Sequence, residues 1–387
     1  MTAVEGDLLE RIRTRLADKS ADPSPAQVAD ALRSEGRLVG DVAVLDMVDA
    51  LRRDTVGAGV LDPLLRLDGV TDVVVNGAEQ VYVDTGRGLE TVGVRFDDDA
   101  AVRRLAQRLA GSAGRRLDDA SPFVDVRLRD GTRFHAVLSP VASPGTCLSL
   151  RVPARRSLTL ADLVSSGATT DEGAALLLDI VKARLAFVVS GGTGSGKTTL
   201  LAALLSYAEP TDRLVIVEDA SELRPRHPHV VSLEGRQPNV EGVGAITLRD
   251  LVRQALRMRP DRLVVGEVRG AEVVDMLSAM NTGHDGGCGT VHANAAADVP
   301  ARFEALGTAA GLPRDGVHAQ LAAALQVVIH LRRGRDGVRR LVQVAVVRRR
   351  ADGCVEVIPA VAFSAGRPPV TSEGAEILDG WLTEATA

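Results

Sequence analysis

One nine-residue segment constrains the fold of this chain more than any other stretch. It matches the phosphate-binding pattern G-x-x-x-x-G-K-[ST] and consists of Gly191, Gly192, Thr193, Gly194, Ser195, Gly196, Lys197, Thr198 and Thr199. The apolar run 185–190 before it predicts a buried parallel strand, and the run 200–205 after it predicts a helix. The segment is therefore expected to hold a phosphate at a helix N-terminus.

Two side chains of this loop predict the binding of ATP with Mg2+. Lys197 is expected to reach the β- and γ-phosphates, and the hydroxyl of Thr198 to hold the metal. Only three of the 46 basic residues are lysines, namely Lys19, Lys182 and Lys197. A lysine placed where a compact ammonium suits a phosphate therefore favours this interpretation over a glycine-rich turn that binds nothing.

The composition limits the classes of partner. The net charge is −5 and aromatic residues make up 2% of the chain, which argues against a stable nucleic-acid partner. Three cysteines far apart indicate a reducing compartment. The acidic start of the chain does not resemble a signal peptide, and no apolar run is long enough to span a membrane. We therefore expect a cytoplasmic protein.

The pattern of apolar residues predicts an α/β protein with three parts. Residues 1–56 are expected to form a helical N-terminal extension, and residues 57–152 a mixed α/β domain with an antiparallel sheet. Residues 153–387 alternate helices with apolar strands, which is typical of a parallel sheet, and end in a β-rich tail.

Two glutamates follow apolar strands and are the predicted catalytic groups together with Lys197. Glu218 ends the run 214–217, and Glu267 ends the run 262–265. Ligands of open α/β sheets bind beyond the carboxyl ends of the strands, so both side chains are expected near the phosphates. One would orient the attacking water and the other would act near Mg2+.

Two histidines, at positions 284 and 292, lie in a glycine-rich segment with Cys288 between them. The spacing of four residues allows a zinc site, but the intervening glycines indicate a turn and a strand rather than a rigid set of ligands. Contact with the nucleotide phosphates is favoured over zinc, and two ordinary surface histidines are the default interpretation from these residues alone.

Arginines provide two further hypotheses. Arg133 and Arg151 lie on strands before the phosphate-binding domain and could complete a nucleotide site. A second group, at positions 332, 333, 335, 339, 340 and 348–350, is interpreted as the solvated face of a hairpin, with acidic lipid or nucleic acid as alternatives.

From about residue 61 to 347 the sequence resembles the secretion-superfamily ATPases, most closely their CpaF/Tad (tight-adherence pilus) branch. The resemblance rests on several motifs that occur in order. They are VTDVVVNG at 70–77, GRRLD at 114–118, DGTR at 130–133, VEDASEL at 217–223, RMRPDRLVVGEVRG at 257–270, NTGHDG at 281–286 and TVHAN at 290–294. The sequence differs from the family in Gly287-Cys288-Gly289, and it lacks the four-cysteine zinc insertion of some relatives.

The resemblance implies a RecA-like ATPase domain and specific roles for these residues. Glu218 would activate water, and Glu267 would act through Mg2+ as the Walker B residue. His284 and His292 would sense the state of the nucleotide, and arginines 133 and 151 would contact it from the N-terminal domain. The family also implies a homo-oligomer, a hexameric ring with ATP between the two domains of each subunit. Such a ring would lie at the inner face of the cytoplasmic membrane, on a platform protein of a pilus or secretion machine.

The residues alone are also compatible with two other functions. RecA-like rings also translocate nucleic acid, and a chain of this kind could bind a nucleotide without hydrolysing it. Stimulation of ATP hydrolysis by DNA would favour the first alternative.

Overall fold

The computed structural model describes residues 30, 57–86, 88–153, 157–236, 238 and 243–385. These residues form two compact units, divided between residues 154 and 155. Apart from residue 30, the helical extension predicted for residues 1–56 lies outside the described residues. The domain bounds 57–152 and 153–387 stay predictions. None of the described helices is long and apolar enough to cross a membrane.

The amino-terminal unit is built on an antiparallel sheet of six strands in the order β3-β2-β1-β6-β5-β4. Its strands are β1 Asp72–Asn76, β2 Gln80–Asp84, β3 Leu89–Thr91, β4 Phe123–Arg127, β5 Arg133–Val137 and β6 Cys147–Arg151. Its helices are a 3-10 turn at Gly59–Leu61, α1 Asp62–Leu65 and α2 Asp99–Ser112. The carboxylate of Asp98 caps α2 by accepting a hydrogen bond from the backbone N–H of Ala101.

The carboxy-terminal unit contains a nine-stranded sheet in the order β15-β14-β13-β12-β7-β11-β10-β8-β9. Its strands are β7 Phe187–Gly191, β8 Leu214–Glu218, β9 Val230–Glu234, β10 Arg262–Val268, β11 Cys288–His292, β12 Val327–Arg333, β13 Arg339–Arg349, β14 Val355–Ala362 and β15 Val370–Thr371. Its helices are α3 Leu160–Ser165, α4 Asp171–Lys182, α5 Lys197–Leu205, α6 Leu248–Leu256, α7 Glu272–Met280, α8 Val299–Ala309, α9 Arg314–Ala324 and α10 Ala375–Glu384, with a 3-10 turn at Ala296–Asp298.

Six strands of this sheet, from β9 to β12 in the sheet order, run parallel, and the last three are antiparallel. Strands β7 and β8 are buried along their whole length, as their apolar sequences require. The predicted α/β class is confirmed. The tail that the sequence predicts to be β-rich carries the four strands β12 to β15 and closes with α10, because Leu378 of this helix packs into the core.

A buried ion network fixes the amino-terminal ends of the parallel strands. The Nε of Arg262, at the start of β10, donates to Asp212 Oδ2 at 2.7 Å, and its Nη2 donates to the carbonyl of Val181 at 3.0 Å. The Nη1 of Arg184 donates to the other oxygen of Asp212, also at 2.7 Å. Burial raises the pKa of Asp212, but the two arginines outweigh that effect and the net pKa is lowered.

Candidate functional site

The loop between β7 and α5 has the backbone that the phosphate-binding pattern predicts. Three of its glycines lie in the left-handed region, with φ of 152° at Gly191, 69° at Gly194 and 95° at Gly196. Side chains with a Cβ rarely adopt these angles, so the glycines allow the chain to curl before the helix. Helix α5 then begins at Lys197, with its first N–H groups directed back toward the loop.

The interior of the loop has no room for a side chain and contains an unused polar group. A Cβ on Gly191 would lie 2.5 Å from the carbonyl oxygen of Leu331 and 2.6 Å from Ser195 Oγ. Ser195 is 2% exposed, and its Oγ has no hydrogen-bond partner within the described residues. A buried hydroxyl without a partner is costly, and a phosphate oxygen would supply one. The residues of the loop therefore fit a nucleotide phosphate.

The ammonium of Lys197 rests on the loop itself. Its Nζ donates to the carbonyl oxygens of Gly192 at 2.9 Å and Gly191 at 3.0 Å. Burial lowers the pKa of Lys197, and the nearby charge of Glu267 opposes that shift. Carbonyl oxygens are weaker partners for an ammonium than phosphate oxygens, so the lysine is held close to the position where a phosphate would bind it.

Glu267, His292 and Lys197 form a connected group beside the loop. The Nε2 of His292 donates to Glu267 Oε1 at 2.7 Å, and the Nζ of Lys197 lies 3.5 Å from each nitrogen of the same ring. The register of the parallel strands causes this proximity, because His292 on β11 lies opposite Gly191 on β7. Burial and the charge of Lys197 lower the pKa of His292, and Glu267 opposes them.

Glu218 lies at the end of β8, next to the strand that carries Glu267. It is 4% exposed, and its Oε1 accepts hydrogen bonds from the backbone N–H groups of Leu223 at 3.0 Å and Glu222 at 3.1 Å. A Cβ on Gly266 would lie 2.5 Å from Glu218 Cγ, so the glycine makes room for this side chain. Burial raises the pKa of Glu218 to about 7, despite the two backbone hydrogen bonds.

One carboxylate near this group has no role in the sequence analysis. Glu272 is 4% exposed at the start of α7, and its Oε1 accepts hydrogen bonds from the N–H groups of Arg269 at 2.6 Å and Gly270 at 2.7 Å. The side chain of Arg269 also forms an ion pair with Asp219. Glu272 therefore fixes the turn that follows Glu267, and its position in the first turn of a predicted helix is the signal that could have revealed it.

His284 does not join the nucleotide loop within the chain. It precedes β11, whereas His292 ends this strand, so β11 separates the two histidines. The Nδ1 of His284 donates to the carbonyl of Ala279 at 3.1 Å. Burial raises the pKa of Cys288 to about 12, and no group of three potential metal ligands occurs among the described residues. The three residues whose spacing allows zinc thus lie before β11, at its start and at its end. The sensor role of His284 stays a prediction.

Arg133 and Arg151 lie side by side in the amino-terminal unit, paired across β5 and β6. Each contacts a carboxylate. The Nη2 of Arg133 lies 2.6 Å from Asp125 Oδ2, and the Nε of Arg151 lies 3.2 Å from Asp72 Oδ1. Both arginine side chains are about half exposed or more. Their predicted contact with a nucleotide stays a prediction.

Comparison with known proteins gives the family of the chain. The family model described as type II/IV secretion system protein matches residues 54–370, which cover parts of both units and include every site residue discussed above. The chain belongs to the type II/IV secretion system protein family.

Named relatives in this family share much of the sequence. The chain is 58% identical over 327 residues to the Mycobacterium tuberculosis protein named "Putative conjugal transfer protein Rv3659c", covering 83% of this chain and 93% of that protein. It is 32% identical over 318 residues to the type IV secretion system protein PtlH of Bordetella pertussis, covering 73% and 91% of the two chains.

The fold is also found in a solved structure. The X-ray structure of the ATPase DotB from Yersinia pseudotuberculosis matches 79% of this chain and 80% of its own, with a TM-score of 0.54 and 19% sequence identity. This similarity agrees with an amino-terminal sheet unit followed by a larger α/β core.

Proposed function

We propose that this family member hydrolyses ATP to ADP and phosphate as the motor of a secretion or pilus-assembly machine. The observation that supports the proposal most strongly is the chain of contacts from Lys197 through His292 to Glu267, beside the glycine-lined loop. This arrangement combines a cradle, a cation for the phosphates and a carboxylate near them, which are the parts that phosphoryl transfer needs.

The residues divide the work as follows. Thr198 and Glu267 would hold Mg2+, which neutralises charge on the phosphates when bound. Lys197 would exchange the loop carbonyls for the β- and γ-phosphates. Glu218 would orient and deprotonate the attacking water, for which its carboxylate must be in the charged form. His292 would report the state of the nucleotide, because it contacts both Lys197 and Glu267.

The finer function rests on the sequence motifs and on the named relatives. The missing four-cysteine zinc insertion supports the tight-adherence pilus branch or the type IV secretion side, and the relatives named for conjugal transfer and type IV secretion support export across a membrane. We infer a cytoplasmic homo-oligomer, a hexameric ring, that works on an inner-membrane platform protein.

Phosphate release from ATP by the purified full-length chain tests this proposal. Lys197→Ala is expected to abolish hydrolysis, and normal turnover in that variant would refute the site. Glu218→Gln is expected to bind ATP and stall, because it lacks a base. If Glu267→Gln stalls instead while Glu218→Gln turns over, the two roles are reversed. Stimulation by DNA with a steep salt dependence would favour a nucleic-acid translocase.

A further inference from the structure

The hairpin formed by β12 and β13 lies against the nucleotide loop. Strand β12 runs parallel to β7, with Leu331 opposite Gly191, and the carbonyl of Leu331 closes one side of the loop. The chain then turns, and Arg339 begins β13 opposite Arg333. The arginines on this hairpin, interpreted from the sequence as a solvated face, are therefore at the carboxyl-terminal edge of the sheet, next to the phosphate-binding segment.

The side chain of Arg339 approaches the phosphate-binding loop at Gly196. A Cβ on Gly196 would lie 3.3 Å from Arg339 Cδ and 3.8 Å from Arg339 Cβ, so the aliphatic part of this side chain packs on the last glycine of the loop. Gly196 directly precedes Lys197 and caps helix α5. Because the aliphatic stem packs at this point, the guanidinium charge of Arg339 lies within reach of a ligand bound in the loop.

Two neighbouring arginines, unlike Arg339, have polar partners within the hairpin. Arg340 forms an ion pair with Asp336 through two hydrogen bonds, at 2.6 and 2.9 Å, and Arg333 Nε donates to the carbonyl of Gly337 at 3.2 Å. These contacts hold the hairpin together. Within the described residues, the guanidinium of Arg339 has no hydrogen bond and no ion pair, although it lies in the same turn of chain.

We propose that Arg339 is a nucleotide-binding residue whose guanidinium contacts the β- or γ-phosphate of ATP held by the loop. The inference rests on the proposed function, and it assigns to the loop a second cation from the same chain, alongside Lys197. Arginine suits this position because its planar fork can bind two phosphate oxygens at once. The charge adds to that of the helix N-terminus, so its effect should grow with the number of phosphates on the ligand.

Equilibrium binding of fluorescent analogues of ATP, ADP and AMP to the full-length chain tests the proposal. Arg339→Gln keeps most of the stem that packs on Gly196 and removes the charge. It is expected to weaken binding of the ATP analogue about tenfold, in line with the loss of a charged hydrogen bond. Binding of the ADP analogue should weaken less, and that of the AMP analogue least.

Arg335→Gln is the matched control, because it removes the same charge from an exposed position of the same hairpin. It is expected to leave all three affinities within about twofold of the unsubstituted chain. Equal behaviour of the two variants would overturn the proposal. Equal weakening of all three nucleotides by Arg339→Gln would also overturn it, because the contact would then be to a part that AMP shares, namely the α-phosphate, the ribose or the base.

The same experiment separates this inference from the proposed function. Binding by the unsubstituted chain that is lost in Lys197→Ala supports the loop as the nucleotide site, whatever Arg339 does. If the unsubstituted chain binds none of the analogues, the proposed function fails and the role of Arg339 fails with it. The thermal unfolding midpoint of Arg339→Gln without nucleotide should match that of the unsubstituted chain, and a large drop would show a structural role instead.

Discussion

The Nε2 of His292 lies 2.7 Å from Oε1 of Glu267. These residues are 25 positions apart in the sequence and lie on adjacent parallel strands, β11 and β10. The same imidazole is in contact with Lys197. A change in what Lys197 binds would therefore alter the environment of Glu267 through this ring. The pair thus connects the phosphate cradle with the residue proposed to act near the metal.

His292→Ala is expected to reduce ATP hydrolysis about 100-fold, because Glu267 loses the hydrogen bond that orients it. ATP affinity should change much less, since Lys197 and the loop amides remain. His229→Ala is the control, because this exposed side chain directly precedes β9, at the amino-terminal ends of the parallel strands. Single-turnover hydrolysis and nucleotide binding would be measured for both variants, and an equal loss in His229→Ala would contradict the proposed role of His292.

The raised pKa of Glu218 predicts a pH dependence of hydrolysis. A base must be deprotonated to accept a proton from water, and the pKa of this carboxyl is about 7. The turnover rate is therefore expected to rise as pH increases from 6 to 8, with a midpoint near 7. The rate would be measured at saturating ATP, with binding measured at each pH. A rate that stays flat over this range would exclude Glu218 as the base.

The raised pKa of Glu218 also predicts that the stability of the fold depends on pH. The carboxyl of Glu218 has an ordinary pKa of 4.5 when unfolded and about 7 when folded, so the folded chain binds more protons between these values. The free energy of unfolding should therefore fall as pH rises through this window. Glu218→Gln should remove the dependence and be more stable at pH 8 by about 3 kcal/mol, at about 1.4 kcal/mol per pKa unit. Urea unfolding at pH 5 and 8 would measure the difference, and equal curves at pH 8 would contradict it.

Glu272 is expected to act as a positioning residue. Glu272→Ala leaves the N–H groups of Arg269 and Gly270 without their acceptor and should lower the free energy of unfolding by about 1–3 kcal/mol. It should also lower kcat with little change in KM, because the turn after Glu267 loosens. Glu272→Gln keeps an acceptor oxygen and should restore most of the activity.

Asp275→Ala on the same helix provides a control for Glu272. It removes ion pairs with Arg249 and Arg253, whose side chains are 38% and 50% exposed, and should cost at most about 1 kcal/mol. If this variant loses as much activity as Glu272→Ala, a general weakening of α7 explains both results.

The sequence predicts the parts of the site that depend on local pattern. The loop needs glycines at positive φ and a lysine at the helix start, and these residues form one contiguous sequence motif. The closeness of Glu267 and His292 could also be inferred, because both end apolar strands of one parallel sheet.

The remaining features depend on neighbours that are distant in the sequence. The burial of Glu218 needs the space left by Gly266 on another strand. In the sequence, Arg339 cannot be distinguished from the other arginines of its hairpin. The structure shows that its aliphatic stem packs on Gly196. His284 resembles His292 in sequence context, but the direction of β11 places it at the other end of the strand.

The network of Arg184, Asp212 and Arg262 lies at the edge of the sheet opposite the nucleotide loop. A parallel sheet thus keeps its anchoring charges and its reactive charges a strand length apart. Substitutions at the reactive rim can therefore change the chemistry without removing the charges that anchor the other rim.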